Sequence, residues 1–203
     1  MTAADTELPD YKRARRAQIV DAALDLLKSQ DYEQIQMRDV ADHAGVALGT
    51  LYRYFTSKEN VYAAVLMQWA QPVFAAAEAD LPATEQQVRE KMRGIISSFE
   101  RRPAFFKVCM LLQNTTDANA RDLMDRFASV AQRTLATDFA SMGEQESADT
   151  AIMAWGIIST MLSASILRDL PMTDTYRVVD AFVDLIGPRL PSGASEATVA
   201  GRD

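Results

Sequence analysis

Cysteine and histidine each occur once in the 203 residues, at Cys109 and His43, and that scarcity removes several classes of function. A lone cysteine forms no intrachain disulfide and supplies no multi-cysteine zinc site. One histidine leaves little from which to assemble a nucleophilic triad or a histidine-rich metal centre. His43 reads as a structural or solvent-exposed residue beside a turn. Cys109, in an apolar stretch, reads as a small core side chain, because a reactive thiol needs exposure and electropositive neighbours. Acidic pairs such as Asp122 with Asp125 and Glu144 with Glu146 have no histidine partner and read as solvated helix faces. A glycine-rich phosphate loop is missing too, so the expectation is a protein without metal, cofactor or enzymatic activity.

Long hydrophobic runs are equally scarce. A long uncharged stretch, AIMAWGIISTMLSASIL from Ala151 to Leu167, is short for a membrane span and is interrupted by Ser, Thr and Gly, so it reads as a buried helix. The basic cluster KRARR, Lys12 to Arg16, is followed by apolar positions that alternate with Asp21, Asp25 and Lys28, unlike a signal-peptide core. A cytoplasmic protein with no membrane partner is the expectation. An apolar share of 48% suffices for a substantial core without covalent staples. The net charge of -7 argues against coating of nucleic acid by overall charge, yet Tyr11 to Lys58 holds eight Lys and Arg against six Asp and Glu. KRARR fits a solvated charged face and contact with a phosphate or minor groove equally well.

Alternating strand patterns and hairpin dipeptides are also wanting, whereas the 3.6-residue period recurs throughout, which predicts an all-α protein of about nine helices. The expected first helix runs from about Tyr11 to Ser29, with Ile19, Ala23, Leu26 and Leu27 on one face. Met37 to His43 forms a short second helix, and the segment HAGVALGTLYRYF, residues 43 to 55, holds a third. Ser57 caps a long fourth helix that includes Pro72, Thr84 caps a fifth, Pro103 starts a sixth and Asp117 opens a seventh. Gly143 precedes the eighth helix, and a ninth spans about Thr173 to Leu185. The domain reading is a flexible N-terminus over 1–10, a trihelical unit over 11–56, a helical domain over 57–190 and a disordered tail over 191–203.

Within the trihelical unit, Val40, Ala41, Gly45, Val46, Leu51 and Phe55 suit a helix-turn-helix. Ala41 is small where two helices cross, and Gly45 can adopt the left-handed conformation that ends the first of them. Val40, Val46, Leu51 and Phe55 can pin the pair onto the first helix. Ala47, Leu48, Gly49, Thr50, Arg53, Tyr54 and the hydroxyl end of Tyr52 then remain outward, a surface suited to a DNA groove.

The stretch QMRDVADHAGVALGTLYRYFTSKENVYAAVL, with G-T-L-Y-x-x-F, the following S-K-E and the preceding R-D-x-A in register, resembles the DNA-binding domain of TetR-type transcriptional repressors. The match covers about residues 12 to 66. It implies phosphate contacts by Thr50, Tyr52 and Tyr54, with Lys58 joining them from the start of the fourth helix, and a base-edge or phosphate contact by Arg38. Many relatives have Ser or Thr at position 47 and a basic residue at position 48, where this chain has Ala47 and Leu48. Leu48 cannot donate to guanine, so it is expected to meet a thymine methyl. Gln36 stands where Thr is usual before the Met-Arg pair. Ala47, Leu48 and the Arg53-Tyr54 pair are also similar to the actinobacterial repressors of sterol-catabolism genes.

The family resemblance further implies that the later helices surround a pocket for a small effector. Phe74, Phe99, Phe105, Phe106, Cys109, Met110, Met124, Phe127 and Trp155 are the apolar candidates, with Met153 in the same set, and Gln113 and Asn114 are candidate polar anchors. Core packing explains the same stripes without a ligand. The eighth helix, rich in Ala, Ser and Gly, and the ninth, striped by Val178, Val179, Phe182, Val183 and Ile186, suit a homodimer formed as a four-helix bundle. The expected function is a dimeric, ligand-responsive repressor that binds a palindromic double-stranded DNA operator and is released by a small apolar effector. The alternative is a helical protein that binds a small molecule or partner and has little affinity for DNA.

Overall fold

The computed structural model describes residues 9–75 and 82–191, with the side chains of residues 73–75 outside that description. Among the described residues there are nine α-helices and no strand. In chain order they are α1 (Asp10–Ser29), α2 (Met37–His43), α3 (Leu48–Tyr52), α4 (Lys58–Ala75), α5 (Glu85–Glu100), α6 (Pro103–Leu112), α7 (Ala118–Asp138), α8 (Glu144–Arg168) and α9 (Met172–Ile186). The flexible N-terminus expected over 1–10 and the tail over 191–203 fall mostly outside the described residues. Asp10, however, already belongs to α1, where its carboxylate pairs with Arg13 one turn on.

Helix ends lie where local hydrogen bonds set them. Ser57 Oγ accepts the Asn60 N–H at 3.0 Å and caps α4, which continues through Pro72. Thr84 and Gln87 form a reciprocal box at the start of α5, with Thr84 N–H donating to Gln87 Oε1 at 2.9 Å and Gln87 N–H donating to Thr84 Oγ1 at 3.4 Å. Asp117 Oδ1 accepts the Ala120 N–H at 2.8 Å and opens α7.

The chain folds as two compact units. The first takes in the described residues of Met1–Val73 together with Arg101–Ser129. Its core gathers Ile19, Leu26 and Leu27 of α1, Val40 of α2, Leu51 of α3, Val61, Val65 and Leu66 of α4, Phe105, Phe106, Cys109 and Leu112 of α6, and Leu123, Met124 and Phe127 of α7. Burying a large side chain of this kind contributes roughly 1.5 to 3 kcal/mol. Tyr32 and Tyr62 meet edge to face in the same core, with ring centroids 5.1 Å apart and planes at 81°.

The second unit comprises the described residues of Phe74–Glu100 and of Val130–Asp203. There α9 packs against α8 and α5. Its core holds Val88, Met92, Ile96 and Phe99 of α5, Leu135 of α7, Ala151, Ala154, Ile158 and Leu162 of α8, and Val179, Phe182, Val183 and Ile186 of α9. Arg89 fastens α5 to α9 by ion pairs with Asp180 and Asp184, and Lys91 reaches Asp138 of α7 at 2.5 Å. Thr175, fully buried, bonds Ser165 Oγ at 2.7 Å and donates to the Met161 carbonyl at 3.2 Å.

One expectation needs correction here. Helix α8, which carries the uncharged run, is long and apolar enough to cross a membrane by length and composition, but it is not buried all round. Ala151, Ala154, Ile158 and Leu162 face the unit's core, while Ile152, Met153 and Leu167 are 55%, 52% and 49% exposed. Met153 is therefore no part of the core.

Candidate nucleic-acid interface

Two helices of seven and five residues carry the outward surface, so their orientation depends on the turn between them. Gly45 has φ +63°, the left-handed region that glycine enters without a Cβ penalty. Its N–H donates to the Asp42 carbonyl at 3.1 Å and the Val46 N–H donates to the Ala41 carbonyl at 2.9 Å, the paired bonds that close a helix and redirect the chain. From α1, Gln18 Nε2 donates to the Ala44 carbonyl at 2.7 Å. The turn is thus fixed both by its own backbone and by a side chain about one helix away. Val40, Ala41, Leu51 and Phe55 are buried beneath it, whereas Val46 is only half-buried.

Position 36 proves compatible with a well-capped α2. Gln36 accepts from the N–H of Asp39, and its own N–H donates to Asp39 Oδ2 at 2.7 Å, so the glutamine completes a capping box. Arg38, in the first turn of α2, is exposed. At the start of α3 the expected absence of a side-chain cap is observed, with Ala47 in extended conformation at φ -65° and ψ 143°. Regular helix ends at Tyr52. Arg53 and Tyr54 follow in a turn held by Arg53 N–H to Thr50 carbonyl at 3.1 Å and Tyr54 N–H to Leu51 carbonyl at 2.9 Å.

Ala47, Gly49, Tyr52 and Arg53 are exposed, and Leu48, Thr50 and Tyr54 are partly exposed. Half of Tyr52 faces solvent, its hydroxyl end being the only polar part to present. A Cβ built on Gly49 meets nothing within 4 Å, so another surface can approach the backbone there closely. Lys58 already has a partner. Its Nζ donates to the Tyr32 carbonyl and stands 3.9 Å from the Tyr32 ring centroid. Burial pulls its ammonium below the usual lysine range, against the opposing influence of Glu33, Glu59 and Asp39. An ammonium carries three donors, so one bond to Tyr32 leaves donors for a phosphate. Gln18 and Tyr32 are not singled out by composition and spacing, since each acts through a contact 26 residues away.

Of the effector candidates, Phe105, Phe106, Cys109, Met124 and Phe127 are buried together in the first unit, and Phe105 lies against Trp69 of α4 with centroids 4.9 Å apart. Met110 is half-buried, and Gln113 is exposed at the end of α6, as is Asn114. Phe99 and Trp155 belong to the second unit, and the side chain of Phe74 lies outside the described residues. A surface groove on the second unit, lined by Arg93, Thr173, Tyr176, Arg177, Asp180, Ala181 and Asp184, includes none of them.

Comparison with known proteins gives the interface a context. Residues 19–65 match the family of bacterial regulatory proteins described as the tetR family. The repressor KstR of Mycobacterium tuberculosis is 47% identical over 64 residues, which are 31% of this chain and 29% of that protein. The chain thus spans under a third of that relative in the alignment. KstR of Rhodococcus jostii is 28% identical over 191 residues, covering 89% of this chain and 87% of that one. Among solved structures, a TetR regulator from Rhodococcus sp. RHA1 has the same fold, with a TM-score of 0.73 at 21% identity over 87% of this chain and 97% of its own. FadR of Bacillus subtilis, solved in complex with stearoyl-CoA, has a TM-score of 0.60 at 21% identity over 86% and 99%. Residues 19–65 are thus matched in sequence by the tetR family of bacterial regulatory proteins, and the described chain has the fold of solved tetR-family regulators.

Proposed function

We propose that the chain is a dimeric repressor that reads a palindromic operator with one α3 per half-site and is released by a small apolar effector. The observation that carries this reading is the outward set on and after α3: Leu48, Gly49 and Thr50 for approach to the bases, Thr50, Tyr52 and Tyr54 for contact with phosphates, and Arg53 outward beside them. Arg38 and Lys58 extend the contact, Ala47 keeps the approach open, and the net charge of -7 disfavours random DNA. Residues 11–56 form the reading head, and residues 57–190 bind effector and the second protomer in the cytoplasm.

For the effector, Phe105, Phe106, Cys109, Met110, Met124 and Phe127, with Gln113 at the end of α6, form the candidate site within the first unit. Phe99, Phe74 and Trp155 remain candidates from elsewhere in the chain. The stearoyl-CoA bound by the Bacillus subtilis regulator supports a long apolar ligand as the first probe. Helix α4 is the lever, since Lys58 stands at its DNA end and Trp69 meets Phe105 three turns on. Effector weakens DNA binding only by its differential affinity for the two separations of the reading heads.

The test is selection of genomic fragments by the purified protein, followed by affinity measurements for the best site across a salt series. The expected result is a short inverted repeat and a steep salt dependence, with Tyr54→Ala weakening binding about tenfold while the dimer stays folded. Failure of a well-folded dimer to enrich any sequence at low salt, with or without stearoyl-CoA, refutes the repressor reading.

A further inference from the structure

Thr56 lies between Phe55, the last core residue of the reading element, and Ser57, the cap of α4. Its hydroxyl donates to Asp117 Oδ2 at 3.3 Å and accepts from Asn119 Nδ2 at 3.0 Å, across 61 and 63 residues of sequence. The other Asp117 oxygen is the one that caps α7 through Ala120. Thr115 Oγ1 accepts the Asp117 N–H at 3.2 Å and folds the turn that leads out of α6. On the α4 side, the Thr56 N–H donates to Asn60 Oδ1 at 3.4 Å, so both the backbone and the side chain of Thr56 are held. Burial alone would raise the Asp117 carboxyl, but the N–H groups of Ala120 and Asn119 and the hydroxyls of Ser57 and Thr56 outweigh it and hold the group below its ordinary value. A helix cap needs a single acceptor oxygen. The second oxygen of Asp117, and the amide of Asn119, serve the start of another helix.

We infer that Asp117 and Asn119 are positioning residues for operator recognition: by gripping Thr56 they hold the end of the reading element and the start of α4 against the α6–α7 turn. The inference rests on the repressor reading and gives it a specific joint. Helices α6 and α7 carry the effector candidates Phe105, Phe106, Cys109, Met124 and Phe127, and Thr56 sits two residues after Tyr54. A change in the α6–α7 turn therefore reaches the DNA-contacting surface through three side chains, with no phosphate contact made or broken at the joint. Holding the reading element in its binding orientation lowers the ordering cost of association.

Two substitutions separate this role from capping and from direct DNA contact. Thr56→Val removes the hydroxyl and keeps the branched shape. Asp117→Ser keeps an oxygen for the Ala120 N–H and withdraws the one that reaches Thr56. Full-length protein, operator recovered by the genomic selection, affinity over a salt series and thermal unfolding are the materials of the test. Each single variant is expected to lose about five- to tenfold in operator affinity, and the double variant clearly less than the product of the two losses, because both remove the shared Thr56–Asp117 hydrogen bond. The slope of log affinity against log salt stays that of the wild type, since no phosphate contact has gone. The inference is overturned if either single variant stays within about twofold of wild type, if the losses multiply in the double variant, or if the slope falls by about one, which would make Thr56 a phosphate ligand. Loss of affinity only in step with loss of the folded dimer overturns it as well. Wild-type protein that holds operator while the variants hold it equally well sinks this inference alone; wild-type protein that retains no DNA sinks the repressor reading and this inference together.

Discussion

The Cys109 thiol is a residue whose chemistry is decided by its surroundings. Enclosed on α6 beside Phe105 and Phe106, it is 2% exposed, and burial pushes it up to about 12. A thiol ordinarily titrates near 8.5, so at pH 8 the native protein presents almost no thiolate. Ellman's reagent is therefore expected to label the folded protein at least about a hundredfold more slowly than the urea-unfolded chain. Raising the pH does not rescue labelling until the fold opens. The sign for stability follows from the same shift: the folded state keeps the proton longer, so stability is intact below about 8.5 and declines as pH rises towards the folded value. Rapid labelling of native protein at pH 8 would show that α6 opens readily or that the thiol faces solvent. A ligand seated against α6 is expected to slow labelling further.

Gly45 shows which elements could be read in advance. Its position after His43 announced the end of α2, and its φ of +63° matches that reading. A Cβ there meets nothing within 4 Å, so the penalty of Gly45→Ala is one of backbone conformation alone, about 1 to 2 kcal/mol, and Gly45→Asn should recover part of it. Urea unfolding of the three proteins measures this; equal midpoints for Gly45 and Ala would mean the turn relaxes to a different conformation. Ser57, Thr84, Pro103 and Asp117 were legible for a related reason, because a cap acts within four residues of its own position. What escaped the sequence acts over distance. Gln18 on the Ala44 carbonyl, Lys58 on the Tyr32 carbonyl and Asp117 on Thr56 are contacts that only the packed unit brings together. Gln36 was visible only as a departure from its relatives, since its bond with Asp39 depends on two side chains adopting one geometry. The limits of α3 were blurred for another reason: Arg53, Tyr54 and Phe55 continue the hydrogen bonding of a turn after regular helix has ended.

The surface left apolar on the second unit bears on assembly of the whole molecule. Leu185 of α9 is 78% exposed, and Ile152, Met153 and Leu167 of α8 are about half exposed. Single exposed apolar residues are ordinary, but four on two adjacent, packed helices fit a surface that a second copy covers. On the proposed dimer, two-fold pairing of α8 and α9 would cover these residues on both protomers and offer two α3 elements to one operator. Affinity then depends on both heads binding one DNA molecule, with the second binding event made effectively intramolecular by the first. Leu185→Glu combined with Ile152→Glu places charges where that contact needs apolar area, while leaving the buried faces of both helices intact. Sedimentation at micromolar protein is expected to show a folded monomer whose affinity for the full inverted repeat has dropped about a hundredfold or more. On an isolated half-site the same variant should bind as the wild-type protomer does, because its reading head is unchanged. A variant that stays dimeric would place the dimer contact on another surface; a monomer that keeps full affinity for the repeat would show that one reading head suffices, and the palindromic operator would lose its physical basis.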